Sequence, residues 1–121
     1  MARIPPLPPK LFRTRNSQRD ANTDLDRLMR VRRTIAAAMD EAVRERQGLE
    51  QRLDAFHAQA TSLLDNSGDY AERRSEDEQA IGEAEANAAI ATSRIGQIDA
   101  QIARLGDMLA ELDRTLDGGA A

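Results

Sequence analysis

The side chains able to do chemistry are few, and they are poorly matched to one another. His57 is the only histidine and cysteine is absent, so an imidazole base has no thiol to activate and no second soft ligand for zinc. No Gly-rich phosphate loop, nucleophile motif or metal-ligand spacing occurs. His57 reads as a solvated residue beside a helix seam. The many carboxylates read as solubilising groups with occasional i to i+4 partners, such as Asp40 with Arg44. One metal template is approached: Asp65, Ser67, Asp69 and Glu76 fall at positions 1, 3, 5 and 12 of a calcium loop. Tyr70 stands where that loop needs glycine, and Arg73-Arg74 bring opposing charge. A polar hairpin turn is the better reading. The chain is expected to be non-enzymatic, with no cofactor and no metal.

Binding chemistry is better represented. Residues 1–33 hold nine basic and three acidic side chains, net +6, whereas residues 34–121 hold eight and eighteen, net −10. Arg13, Arg15 and Arg19, backed by Arg27, Arg30, Arg32 and Arg33, are able to neutralise nucleic-acid phosphates, but Phe12 is the lone aromatic among them and offers no stacking platform. Nucleic-acid association is therefore the alternative, behind a solvated tail or a contact with an acidic protein. The tail Ile4–Arg13 is too rich in proline for helix or sheet and favours polyproline II. Pro5, Pro8 and Lys10 fit the P-x-x-P-x-K spacing of an SH3-type ligand, with Leu7, Leu11 and Phe12 as apolar anchors. A plain linker competes with a docking peptide here.

The elements behind these residues are legible from hydrophobic spacing. Leu25, Leu28, Arg32, Ile35, Met39, Ala42, Arg46, Leu49, Leu53, Phe56, Ala60 and Leu63 follow alternating steps of three and four, the a/d pattern of a heptad coiled coil. Ile81, Ala84, Ala88, Ala91, Ile95, Ile98, Ile102, Leu105, Leu109, Leu112 and Leu116 repeat it without a polar exception. Between the two lies Asp65-Asn66-Ser67-Gly68-Asp69, a turn-forming cluster. The spacing predicts an all-α fold, two long antiparallel helices forming a coiled-coil hairpin, with a disordered Pro-rich N-terminal tail.

The expected boundaries are a tail over residues 1–20, a first helix over about 23–65, a turn over about 66–74, a second helix over about 75–117 and a flexible end at 118–121. Thr23 is the expected first N-cap, Ser75 with Glu78 has capping-box spacing, and Gly118-Gly119 would end the second helix. A register centred on Gly68 and Asp69 pairs Leu28 with Leu109, Ile35 with Ile102, Leu49 with Ala88 and Leu53 with Ala84. A slip of one heptad pairs Leu63 with Ile81 instead. Arg32 and Arg46 interrupt the first seam fourteen residues apart. They either snorkel to its rim or select register and partner.

With 121 residues, two Phe, one Tyr and no Trp, one domain with a thin seam is what the composition supports. No apolar run is long enough to span a membrane and no signal-peptide core follows Met1, so a cytoplasmic protein is expected. Every basic residue except Lys10 is arginine and alanine is abundant, which fits a bacterial genome rich in GC. Met29, Val31, Ala36, Ala38 and Val43 widen the apolar stripe of the first helix, so the end of the rod remote from the turn is expected to pack into a dimer or a partner's helices. The expected function is an adaptor or assembly protein, a homo- or hetero-oligomer that docks partner helices through its seam, with interaction residues Met29, Val31, Arg32 and Val43, and a second partner through its tail. Bacterial secretion and flagellar stalks, export chaperones and assembly factors share such an architecture.

Overall fold

The computed structural model describes residues 16–66 and 75–119. They form two helices, α1 (Ser17–Asn66) and α2 (Ser75–Gly119), packed against each other. At 1.5 Å per residue these are rods of about 75 and 68 Å. The proline-rich tail through Arg15 and the turn residues 67–74 lie outside the described residues, as do Ser67 and Asp69 of the calcium-loop reading. Among the described residues no helix is long and apolar enough to cross a membrane.

α1 begins six residues before the expected Thr23, so residues 17–20, assigned above to the tail, are helical. Asn16 is the cap: its side-chain oxygen accepts from the Gln18 N–H at 3.0 Å and its carbonyl from the Asp20 N–H at 3.0 Å. Thr23 is interior and turns its hydroxyl back onto the Arg19 carbonyl at 2.9 Å. α2 begins at the expected Ser75, with Glu76, Asp77 and Glu78 in its first turn, where carboxylates meet the positive end of the helix dipole. It runs on through Gly118 and Gly119 rather than stopping before them.

The two heptad seams face each other along the whole hairpin. All eleven seam positions of α2 are buried or half-buried, as are eleven of the twelve on α1, Leu25 being the exception. Burial is deepest in the turn-proximal and central part, where Ala42, Ala60, Ile81, Ala84, Ala88 and Ala91 let the helices approach and Ile98 is sealed completely. Toward the open end, where residues 28–39 meet residues 102–116, large side chains stay half-buried because two helices cannot surround a leucine.

The register is the slipped one. Arg46 bonds Asp99, which lies eight residues, about 12 Å of helix, beyond the Ala91 that the first alignment set opposite it. It follows Ile98 directly. Arg32 likewise bonds Asp113, the residue after Leu112. Leu25 is then opposite the end of α2 and stays 46% exposed, and Leu28 shares a cleft with Leu116. In this register Leu63 faces Ile81 and Ala60 faces Ala84. The pairings of Leu28 with Leu109 and of Leu53 with Ala84 do not form.

Two stability outcomes follow. A Cβ added at Gly82 or Gly96 meets nothing within 4 Å, so Gly82→Ala and Gly96→Ala should each stabilise the hairpin by about 0.5–1 kcal/mol in urea or thermal melts. Ile98→Ala should cost about 2–5 kcal/mol by opening a cavity at a fully sealed position.

Candidate interaction surface

The seam itself is consumed by the chain's own two helices, which leaves a partner the two flanks and the outer faces. One flank is closed by arginine. Arg32 donates through Nε and Nη2 to both oxygens of Asp113, at 2.7 and 3.3 Å, and Arg46 grips Asp99 in the same two-pronged way while also bonding Glu50 one turn along its own helix. Met39, midway between the arginines, sits in the equivalent position against Gly106, where a Cβ would lie 3.7 Å from its terminal methyl. Arg–Met–Arg on α1 thus faces Asp–Gly–Asp on α2, each at seven-residue steps.

These groups are partly solvated, so their attraction is screened and adds little net stability. Position is what they decide. A slip of one heptad would set Arg32 beside Gly106 and Arg46 beside Thr92, and leave Met39 beside Asp99. A slip the other way would set Arg46 beside Gly106 and Met39 beside Asp113. Neither alternative keeps a single pair. The hydrogen bond from Arg32 is also the main reason the Asp113 carboxyl is held below its usual range; the bonds to Asp113 and Asp99 raise the Arg32 and Arg46 guanidinium values respectively.

The opposite flank carries Glu45 and Arg94, joined by two hydrogen bonds of 3.0 and 3.2 Å. Fourteen residues toward the open end on each helix, the same two places are taken by Val31 and Met108. Both are apolar, and they are 50% and 52% exposed. Val43 is also exposed, at 36%, with Met29, Ala36 and Ala38 half-buried. On this flank the open half of the hairpin is therefore apolar where the middle is clasped by charge, while the other flank of the open half keeps the Arg32–Asp113 pair; Ile90, 68% exposed, and Leu64, 40% exposed, lie toward the turn.

Of the residues the sequence singled out, Val31 is brought beside Met108 on one flank, while Met29 and Val43 lie on the other, with the Arg32 clasp. Met108 was not among them, because the positions flanking the seam of α2 are mostly polar, Glu85, Arg94, Asp99, Gln101 and Asp113 included. Its match in spacing to Val31, relative to Glu45 and Arg94, is the signal that finds it. Asp99 and Asp113 were not singled out by the seam pattern either, and their fourteen-residue separation repeats that of Arg32 and Arg46. Arg19 is exposed on the first turn of α1. Pro5, Leu7, Pro8, Lys10, Leu11, Phe12, Arg13 and Arg15 lie outside the described residues. His57 is exposed. No protein-family model, curated protein or solved structure matches the chain.

The cysteine-free chain suits disulfide trapping of the register. A Leu28→Cys, Leu116→Cys chain should oxidise readily and a Leu28→Cys, Leu109→Cys chain should not. Adding Arg32→Leu and Arg46→Leu should let the second pair form by freeing the slip. Acid should act on the same clasp. With the folded pKa of Asp113 below its unfolded value, the pair's contribution is complete at neutral pH and is lost as pH falls from the ordinary carboxylate range through the depressed folded value. Asp113→Asn should flatten that part of a melting-temperature profile against pH.

Proposed function

We propose that this chain is a non-enzymatic helical interaction module, an adaptor or assembly protein that receives partner helices on the flanks of its open end and offers its proline-rich segment as a second contact. The observation that carries this reading is the pair of exposed apolar side chains Val31 and Met108, one on each helix of the open half on the flank opposite the Arg32–Asp113 clasp, at the places that Glu45 and Arg94 fill with an ion pair in the middle of the hairpin. Apolar groups left on such a thin rod are a natural seat for another helix, which would bury them as a third wall. Pro5, Pro8 and Lys10, with Leu7, Leu11 and Phe12, supply the second contact by sequence alone.

A nucleic-acid reading rests on Arg19, Arg30 and Arg33, exposed on the outer face of α1 and continuous in sequence with Arg13 and Arg15. The two readings separate in one capture experiment from cell lysate. The full chain should retain a protein that Met29→Glu with Val43→Glu loses, or that removal of residues 1–15, which spares the Asn16 cap, loses. Recovery of nucleic acid alone, released by moderate salt and lost on neutralising Arg13, Arg15 and Arg19, would instead support phosphate binding. A full chain that retains neither would sink both.

A further inference from the structure

The outward surface of α1 carries a second stripe with coiled-coil spacing. Arg27, Val31, Thr34, Ala38, Glu41 and Glu45 follow alternating steps of four and three, on the side of the helix turned away from the Arg32 clasp. All are exposed except Ala38, which is half-buried, and shallow grooves run along this part of the helix between Arg27 and Glu41. The stripe is ordered by charge: arginine first, small or apolar residues in the centre, glutamate last. Arg30, beside the stripe, and Glu41 take no ion pair among the described residues. Arg27 has only an exposed 3.5 Å contact with Asp24, and Glu45 shares Arg94.

We propose that a second copy of this chain docks on that stripe, α1 against α1, antiparallel about a two-fold axis at the level of Ala36. This rests on the reading of the open half as a helix-docking surface and names its occupant. Antiparallel pairing sets Arg27 of each copy against Glu45 of the other, lays Val31 along the methylene stem of Glu41 with the carboxylate toward Arg30, and crosses Thr34 over Ala38, where small side chains let the backbones approach. Parallel pairing would set arginine on arginine and glutamate on glutamate. A palindrome of charge is what an isologous interface requires, since the same patch must complement itself. About five turns of helix is less than a standard interface, so the dimer exchanges rapidly with monomer.

The test is sedimentation equilibrium of the full chain and of two charge variants, Arg27→Glu with Arg30→Glu, and Glu41→Arg with Glu45→Arg. The full chain should show a concentration-dependent mass approaching twice its own. Each variant alone should lose about tenfold or more in association, and a mixture of the two should recover it, because every facing pair is again opposite in sign. Should either variant lose its helical circular dichroism, Thr34→Lys, at an exposed position in the middle of the stripe, serves the same purpose. A full chain that stays monomeric at every concentration would overturn the proposal. So would a dimer that survives both charge variants unmixed. Neither result touches the docking reading, which stands or falls separately on whether Met29→Glu with Val43→Glu loses a partner.

Discussion

A seam between two helices has no third layer to stop one rod from sliding on the other, and a heptad repeat is nearly indifferent to a slide of seven residues. Leucine would meet isoleucine or alanine in either case. What distinguishes one register here is the alternation of Arg32, Met39 and Arg46 against Asp113, Gly106 and Asp99. The pattern is a code of period fourteen laid over a seam of period seven. A single slide mismatches every element of it, leaving Arg32, Asp99 and Asp113 without their partners across the seam and Arg46 with Glu50 of its own helix alone. Exposed ion pairs that add little to stability can still choose among states of nearly equal packing.

Packing is graded along the rod for a related reason. Alanine at Ala84, Ala88 and Ala91 draws α1 close, and these positions are buried to 5% exposure or less. Toward the open end both helices present large side chains, so the same two-helix geometry leaves them half-exposed. The apolar groups displaced to the flanks, Val31 and Met108 among them, follow from that geometry. A wide stripe on a hairpin calls for a further helix to complete a bundle.

Much of this was legible in the amino-acid order. The seam residues, the hairpin, the start of α2 at Ser75 and the widened stripe of α1 follow from spacing and turn chemistry. The turn cluster at Asp65–Asp69 points to the first of the two registers, whereas the bonds of Arg32 and Arg46 place the balance point further along and select the second. The information lay in the matched separation of two arginines and two aspartates, visible only when both helices are read together. The start of α1 was missed for a different reason. Residues 17–24 carry no seam leucine, so periodicity is silent there, and Asn16 caps a polar stretch held by backbone bonds and by Gln18 with Asn22 at 3.2 Å.

Because the helices run antiparallel, Ser17 and Gly119 lie at the same end of the molecule. Tension applied across those two points does not shear the seam as a whole; it peels the hairpin from its open end, one turn at a time. The first resistance met would be the Arg32–Asp113 clasp, then a soft interval at Met39 and Gly106, then Arg46 held between Asp99 and Glu50. The two clasps are fourteen residues apart on each helix, about 21 Å along the rod. Pulled from its ends, the molecule opens as a zipper, turn by turn from the open end, and the deeply buried stretch from Ile98 to Ile81 is the last to part.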